Sequence, residues 1–209
     1  MEINLTTTIQ QMQNSSVRPT NSLTRQQENR ITRTRCLFNT FDVLMAKASP
    51  DAQKAFAQKP ERAVTGDYPT LTDLHLTYGR NAAEQWMYVQ IADMTVYTGA
   101  RNLNKRQQEQ LADGICAEYH WLKITEVLLF FHRFKMGRYG RFYGSVDPMV
   151  VTCALRQFVA ERNEILAQYE QQEREKRQRE YDRTHPVMTR EEWLEVKTII
   201  AMYNPDYTI

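Results

Sequence analysis

TEVLLFFHRFKMGRYGRFYGSVDP, residues 125–148, decides the fold. Its first half carries Val127, Leu128, Phe130, Phe131 and Phe134 at helical spacing and runs as a helix until Gly137. Its end starts another: aspartate is a favoured N-cap and proline a favoured first helical residue, so Asp147 and Pro148 open a second helix. Between them Gly137, Gly140 and Gly144, three of the seven glycines in the chain, let the backbone turn. The segment is a bend between helices, with a short hairpin inside it as the alternative. No other stretch has a strand pattern, so the class is all-α: an irregular helical bundle with a glycine- and tyrosine-rich turn and one long, charged C-terminal helix.

The helix from Pro148 has Val151, Leu155, Phe158, Ile165, Leu166 and Tyr169 on its buried stripe. Past Glu170 that stripe gives way to EQQEREKRQREYDR, where Glu170 and Arg174, Glu173 and Arg177, and Glu175 and Arg179 stand four apart, the spacing of helix-stabilising ion pairs. A solvated continuation of the helix accounts for this; a segment that orders only on a partner is the alternative. Continuous to Arg183, the helix is roughly 54 Å long. Thr189 and Glu192 then form a capping box for a last helix bearing Trp193, Val196, Ile199, Ile200 and Tyr203.

Working backwards, Asn104 caps a helix to about Tyr119 with Leu111, Ile115 and Cys116 on one stripe, and His120 to Ile124 is a short turn. Residues 81–98 are apolar nearly all round, which predicts a central helix, and Gly99 fits its stop. Residues 72–78 open this core. Upstream, Ile31, Cys36, Leu37, Phe38, Phe41, Leu44 and Met45 predict one amphipathic helix, behind an entrance carrying Arg25, Arg30, Arg33 and Arg35. The expected organisation is a flexible arm (1–22), an amphipathic helical segment (23–57), a linker punctuated by Pro60, Gly66 and Pro69 (58–70), a helical core (71–169), and the charged extension with its C-terminal helix (170–209).

Composition limits function. Lysine and arginine total 27 against 25 aspartate and glutamate, a net charge of +2, so any electrostatic role is local. The N-terminus does not read as a signal peptide, and the apolar run at 124–131 is far short of the roughly 20 residues that span a bilayer, so a cytoplasmic protein without a membrane partner is expected. Cys36, Cys116 and Cys153 have no CxxC spacing and read as small buried thiols. There is no GxxxxGK[ST], HExxH or GxSxG; His75, His120, His132 and His185 are scattered; and no glutamate has a histidine three positions on. The expectation is a protein that is not an enzyme, with no cofactor and no metal.

A binding role has more support. Residues 131–145 hold Arg133, Lys135, Arg138 and Arg141 and no acid, interleaved with Phe131, Phe134, Tyr139, Phe142 and Tyr143. Cations beside rings grip a phosphate backbone while stacking on bases. The helices at 104–119 and 125–136 have helix-turn-helix spacing, and Arg101 and Lys105 add charge. The nucleic-acid-binding candidates are thus Arg133, Lys135, Arg138, Tyr139, Arg141, Tyr143, Arg101 and Lys105. Core packing of the same rings, with arginines over their edges, is the competing reading.

FHRFKMGRYGRFYGSVDPMVVTCALRQFVAERNEI, with LTYGRN and EYHWLKITEVLLFF before it, resembles a family of uncharacterised all-helical proteins of gut anaerobes and their mobile elements, over residues 71–162. Thr125, Glu126, Val127, Lys135, Gly137, Tyr139, Gly140 and Arg162 are similar to a pattern in small replisome-organiser and helicase-loader-like proteins of phages. Without an ATPase signature, that resemblance implies an adapter acting by binding alone. The expected partners are DNA or RNA and a replication protein. The alternative is a protein-interaction or structural module, a homo-oligomer through the long helix and the Trp193 helix included.

Overall fold

The structure is a computed structural model that describes residues 23–98, 103–140, 147–186 and 188–203. The expected mobile arm, the stop at Gly99, the turn at Gly144 and the possible hairpin lie outside the described residues. Among those described there are ten α-helices, one 3-10 turn at Pro50–Ala52, and no strand beyond an isolated bridge between Thr70 and Lys123. The helices are α1 (Arg25–Leu37), α2 (Phe41–Lys47), α3 (Gln53–Gln58), α4 (Pro60–Thr65), α5 (Leu71–Tyr78), α6 (Ala82–Thr98), α7 (Lys105–Glu118), α8 (Ile124–Lys135), α9 (Pro148–Thr184) and α10 (Arg190–Tyr203). The chain divides into two compact units, Met1–Ala154 and Leu155–Ile209.

In the first unit the expected single N-terminal helix is two. Thr40 caps α2 by accepting from the Val43 amide at 3.3 Å, while Phe38 is extended and turns its ring into the core. A capping side chain competes with helix continuation, and here the cap prevails. These helices dock on the later ones through polar anchors. Trp86 Nε1 donates to the Ala48 carbonyl at 2.9 Å, and Gln53 Nε2 donates to Gln90 Oε1 at 2.8 Å. Arg30 bonds Asp73 at 2.5 Å, the same Asp73 whose carboxylate accepts from the Thr70 amide at the start of α5.

Residues 58–70, read as a linker, hold α4, whose Ala63 and Val64 are fully buried. Lys123 explains why this Pro- and Gly-punctuated stretch is pinned: its ammonium donates to the Val64 and Gly66 carbonyls, each at 2.7 Å. Thr125 adds a bond from its hydroxyl to the Ala63 carbonyl at 2.7 Å. The backbone completes the seam, with the Leu71 amide on the Leu122 carbonyl and the Ile124 amide on the Pro69 carbonyl.

The most enclosed helix is α8 rather than α6. Every residue from Ile124 to Phe131 is buried, and so is Phe134, whereas α6 exposes Val96 and Tyr97 near its end. Sequence periodicity counts apolar residues all round α6 but does not see that its last turn faces out. Of the three cysteines only Cys116 is buried; Cys36 and Cys153 sit on the outer faces of α1 and α9 and are free thiols.

In the long helix Val151, Leu155 and Phe158 are buried, Ile165 and Leu166 half-buried, and Tyr169 exposed. At 37 residues α9 is about 55 Å long. Glu173 pairs with Lys176 at 2.8 Å, not with Arg177, whose guanidinium donates to the Glu173 carbonyl instead. Thr189 and Glu192 make both bonds of the capping box that starts α10.

Candidate functional site

The expected nucleic-acid surface sits where α8 ends. Gly137, at φ 73°, lies in the left-handed region. Its amide donates to the Phe134 carbonyl at 2.9 Å, and the Arg138 amide donates to the Arg133 carbonyl at 3.1 Å. These two bonds define a Schellman stop, and glycine is the residue that adopts its conformation without strain. The stop brings the backbones of Arg133 and Arg138 together.

The cations there are unequal. Lys135 is turned inward: its ammonium bonds the Asp93 carboxylate of α6 at 2.7 Å and lies 5.3 Å from the centre of the Tyr97 ring, with the side chain only 12% exposed. A charge neutralised in this way has little left for a phosphate. Arg133 is half-buried and Arg138 is exposed. Tyr139 stacks on Phe130 with ring centres 5.9 Å apart and planes 29° from parallel, so one of its faces is already occupied. Phe131 and Phe134 are core. Burial, reinforced by the charges of Lys135 and Lys54, holds His132 below the usual histidine range, so it adds no charge near neutral pH.

Lys105 is 79% exposed on the first turn of α7, where Glu109 stands 3.8 Å away. Arg101, Arg141 and Tyr143 lie outside the described residues. Two of the four arginines at the basic entrance of α1 are engaged by the fold: Arg30 is held by Asp73 and Arg33 is paired with Asp67. The helix-turn-helix spacing does not give a self-packed pair either, since α7 lies mainly on α6, and α8 lies on α3, α4 and α6. Among the described residues no three His, Cys, Asp or Glu side chains gather as a metal-binding set, and no helix is long and apolar enough to cross a membrane.

A second candidate surface is α10. At 100° per residue Trp193, Val196, Ile199, Ile200 and Tyr203 fall on one arc of about 120°. All five are exposed, Ile199 at 54% and Tyr203 at 88%. Lys197 flanks the stripe, its ammonium 5.0 Å from the centre of the Trp193 ring.

No curated protein and no solved structure matches the chain. Residues 102–202, which run from just before α7 through nearly all of α10, match a family of unknown function, DUF6633.

Proposed function

We propose that the protein is a non-enzymatic adapter that works by protein–protein contact, with α10 as its docking helix. The observation that carries this reading is the exposed stripe of Trp193, Val196, Ile199, Ile200 and Tyr203. A short amphipathic helix with an aromatic anchor is a form that a hydrophobic groove recognises, and tryptophan and tyrosine are the residues on which such contacts concentrate their energy. The capping box holds the helix start in place without help from a partner.

The test compares the full chain with a Trp193→Ser, Ile199→Ser, Ile200→Ser variant by light scattering and by affinity capture from cell extract. The expected result is an assembly, with itself or another protein, that the variant loses. Monomeric behaviour of both, with the same proteins captured by both, overturns the reading.

A second reading is an adapter for nucleic acid, in the replication or maintenance machinery of a phage or mobile element. It is favoured by Arg138, exposed just past the end of α8, and by a run from Val127 to Gly140 that holds no acid. With Lys135 engaged by Asp93, contacts from Arg133, Arg138 and Arg141 to one phosphate each correspond to a log-log salt slope of about −2 to −3. Fluorescence anisotropy with single- and double-stranded oligonucleotides at two salt concentrations tests this. Absence of binding at low salt, or binding unchanged by Arg138→Ala with Arg141→Ala, excludes it.

A further inference from the structure

The exposed stripe of α10 repeats with a period of seven. Trp193, Val196, Ile200 and Tyr203 follow one another at intervals of three, four and three, so they occupy the a, d, a and d positions of two heptads. All four side chains are exposed, and no residue of α10 is buried. On this register the two flanks of the stripe differ in charge. One carries Arg190 and Lys197, the two e positions, and the other carries Glu192 and Ile199, the two g positions.

An acid near a helix start is ordinarily explained by the helix itself, and Glu192 does accept from the Thr189 amide at 2.7 Å. That bond uses one carboxylate oxygen, Oε2, and leaves the cations across the stripe unexplained. Glu192 and Lys197 are five positions apart, about 140° around the helix, so they cannot pair along it. Lys197 lies over the Trp193 ring, and among the described residues no ion pair joins either Glu192 or Lys197 to another side chain. Five positions is the offset at which a g residue meets the e residue of a parallel partner helix. Two copies of α10 laid parallel and in register therefore set Glu192 of each against Lys197 of the partner subunit, two complementary pairs beside one apolar seam. In the antiparallel alternative the e flanks lie together, Lys197 faces its own copy, and like charges repel. The charges favour a parallel pair.

We propose that α10 pairs with α10 of a second copy of this chain as a short parallel coiled coil. Trp193, Val196, Ile200 and Tyr203 form its seam, and Glu192 and Lys197 set its direction and register. The proposal rests on the reading of α10 as a docking helix and names what docks there. Two heptads make a short seam, so monomer and dimer are in exchange and the balance follows concentration.

Sedimentation velocity of the full chain over a concentration series tests it. The expected result is a monomer–dimer equilibrium. Glu192→Lys places a cation opposite Lys197 of the partner subunit, and Lys197→Glu places an acid opposite Glu192 of the partner subunit. Each variant alone self-associates about threefold to tenfold more weakly, and mixing the two restores association, because both pairs in the mixed dimer again join a cation to an acid. Mixing repairs neither a lost cap nor a lost fold, so the restoration isolates the pairing. Lys197→Gln also weakens the dimer; a stronger dimer would mean antiparallel helices and overturns the proposal. A dimer that is abolished by Trp193→Ser, Ile199→Ser, Ile200→Ser yet indifferent to both charge reversals overturns this pairing while the docking reading stands. A chain that is monomeric at every concentration, and captures another protein only with its stripe intact, does the same. A monomer with no stripe-dependent capture overturns both.

Discussion

Lys135 Nζ lies 2.7 Å from Asp93 Oδ2, which ties the last turn of α8 to α6 across 42 positions of sequence. The pair removes a cation from the basic turn and gives it to the fold. Lys135→Met should therefore lower stability by about 1 to 2 kcal/mol, the scale of losing a charged hydrogen bond that is partly open to solvent. The same substitution should leave the salt dependence of any oligonucleotide binding unchanged, because its charge is already matched. Urea denaturation measures the first effect and anisotropy the second.

Lys123 closes the seam between α4 and α8. Its two bonds to the Val64 and Gly66 carbonyls are charge-assisted, and without them the Gly66 carbonyl keeps only the Tyr68 amide, at 3.1 Å. Lys123→Met keeps the side-chain length and should cost roughly 2 kcal/mol. Hydrogen exchange should quicken first in residues 60–66, so the loss is read as local opening before global unfolding.

Two glycines should rank differently on replacement by alanine. A Cβ on Gly66 would lie 2.5 Å from the Arg62 carbonyl oxygen and 2.6 Å from the Tyr68 ring, so backbone has to move; the cost is about 1 to 3 kcal/mol. A Cβ on Gly137 meets nothing nearer than the Gly140 carbonyl at 3.9 Å, and the cost is only that of the left-handed conformation, about 1 kcal/mol. Melting curves of the two variants give the order, Gly66→Ala the lower.

The local signals in the sequence carried well. The Asn104 cap, the end of α8 at Gly137, the start of α9 at Pro148 and the capping box at Thr189 each rest on residues within four positions of one another, and all are found. What could not be read was long-range. Lys135 looks like a phosphate contact until Asp93 is placed beside it, and Arg30 looks like part of a basic surface until Asp73 is. Residues 58–70 look like a linker because Pro and Gly punctuate them, and only Lys123, some sixty positions away, shows why they are held.

His132 gives a pH dependence of known sign. Burial disfavours its protonated form, so its folded value lies below the unfolded one, near 6.5. Between those two values the unfolded chain binds more protons, so stability falls as pH drops through that window and is fully present above it. Replacement by glutamine should flatten this part of the stability profile. The imidazole resonances of the folded protein should titrate below the ordinary histidine value, and a midpoint at or above it would contradict the burial of this ring.

The distal half of α9 has no apolar stripe to hold it helical, so its helicity rests on exposed pairs. Glu170 and Arg174 stand 3.8 Å apart, Glu173 and Lys176 2.8 Å, Glu175 and Arg179 3.8 Å, and Glu180 and Arg183 2.6 Å. Pairs at these spacings stabilise even isolated helices, and salt screens them. A peptide spanning residues 166–184 should be partly helical by circular dichroism at low ionic strength and lose helicity as salt is added. Lys176 acts on Glu173 first by a direct hydrogen bond and then by its charge, holding the carboxyl below the ordinary glutamate range. In the full chain the Glu173 carboxyl should therefore titrate low, and Lys176→Gln should return it toward its ordinary value. Helicity that is indifferent to salt would mean that backbone propensity alone holds this half of α9.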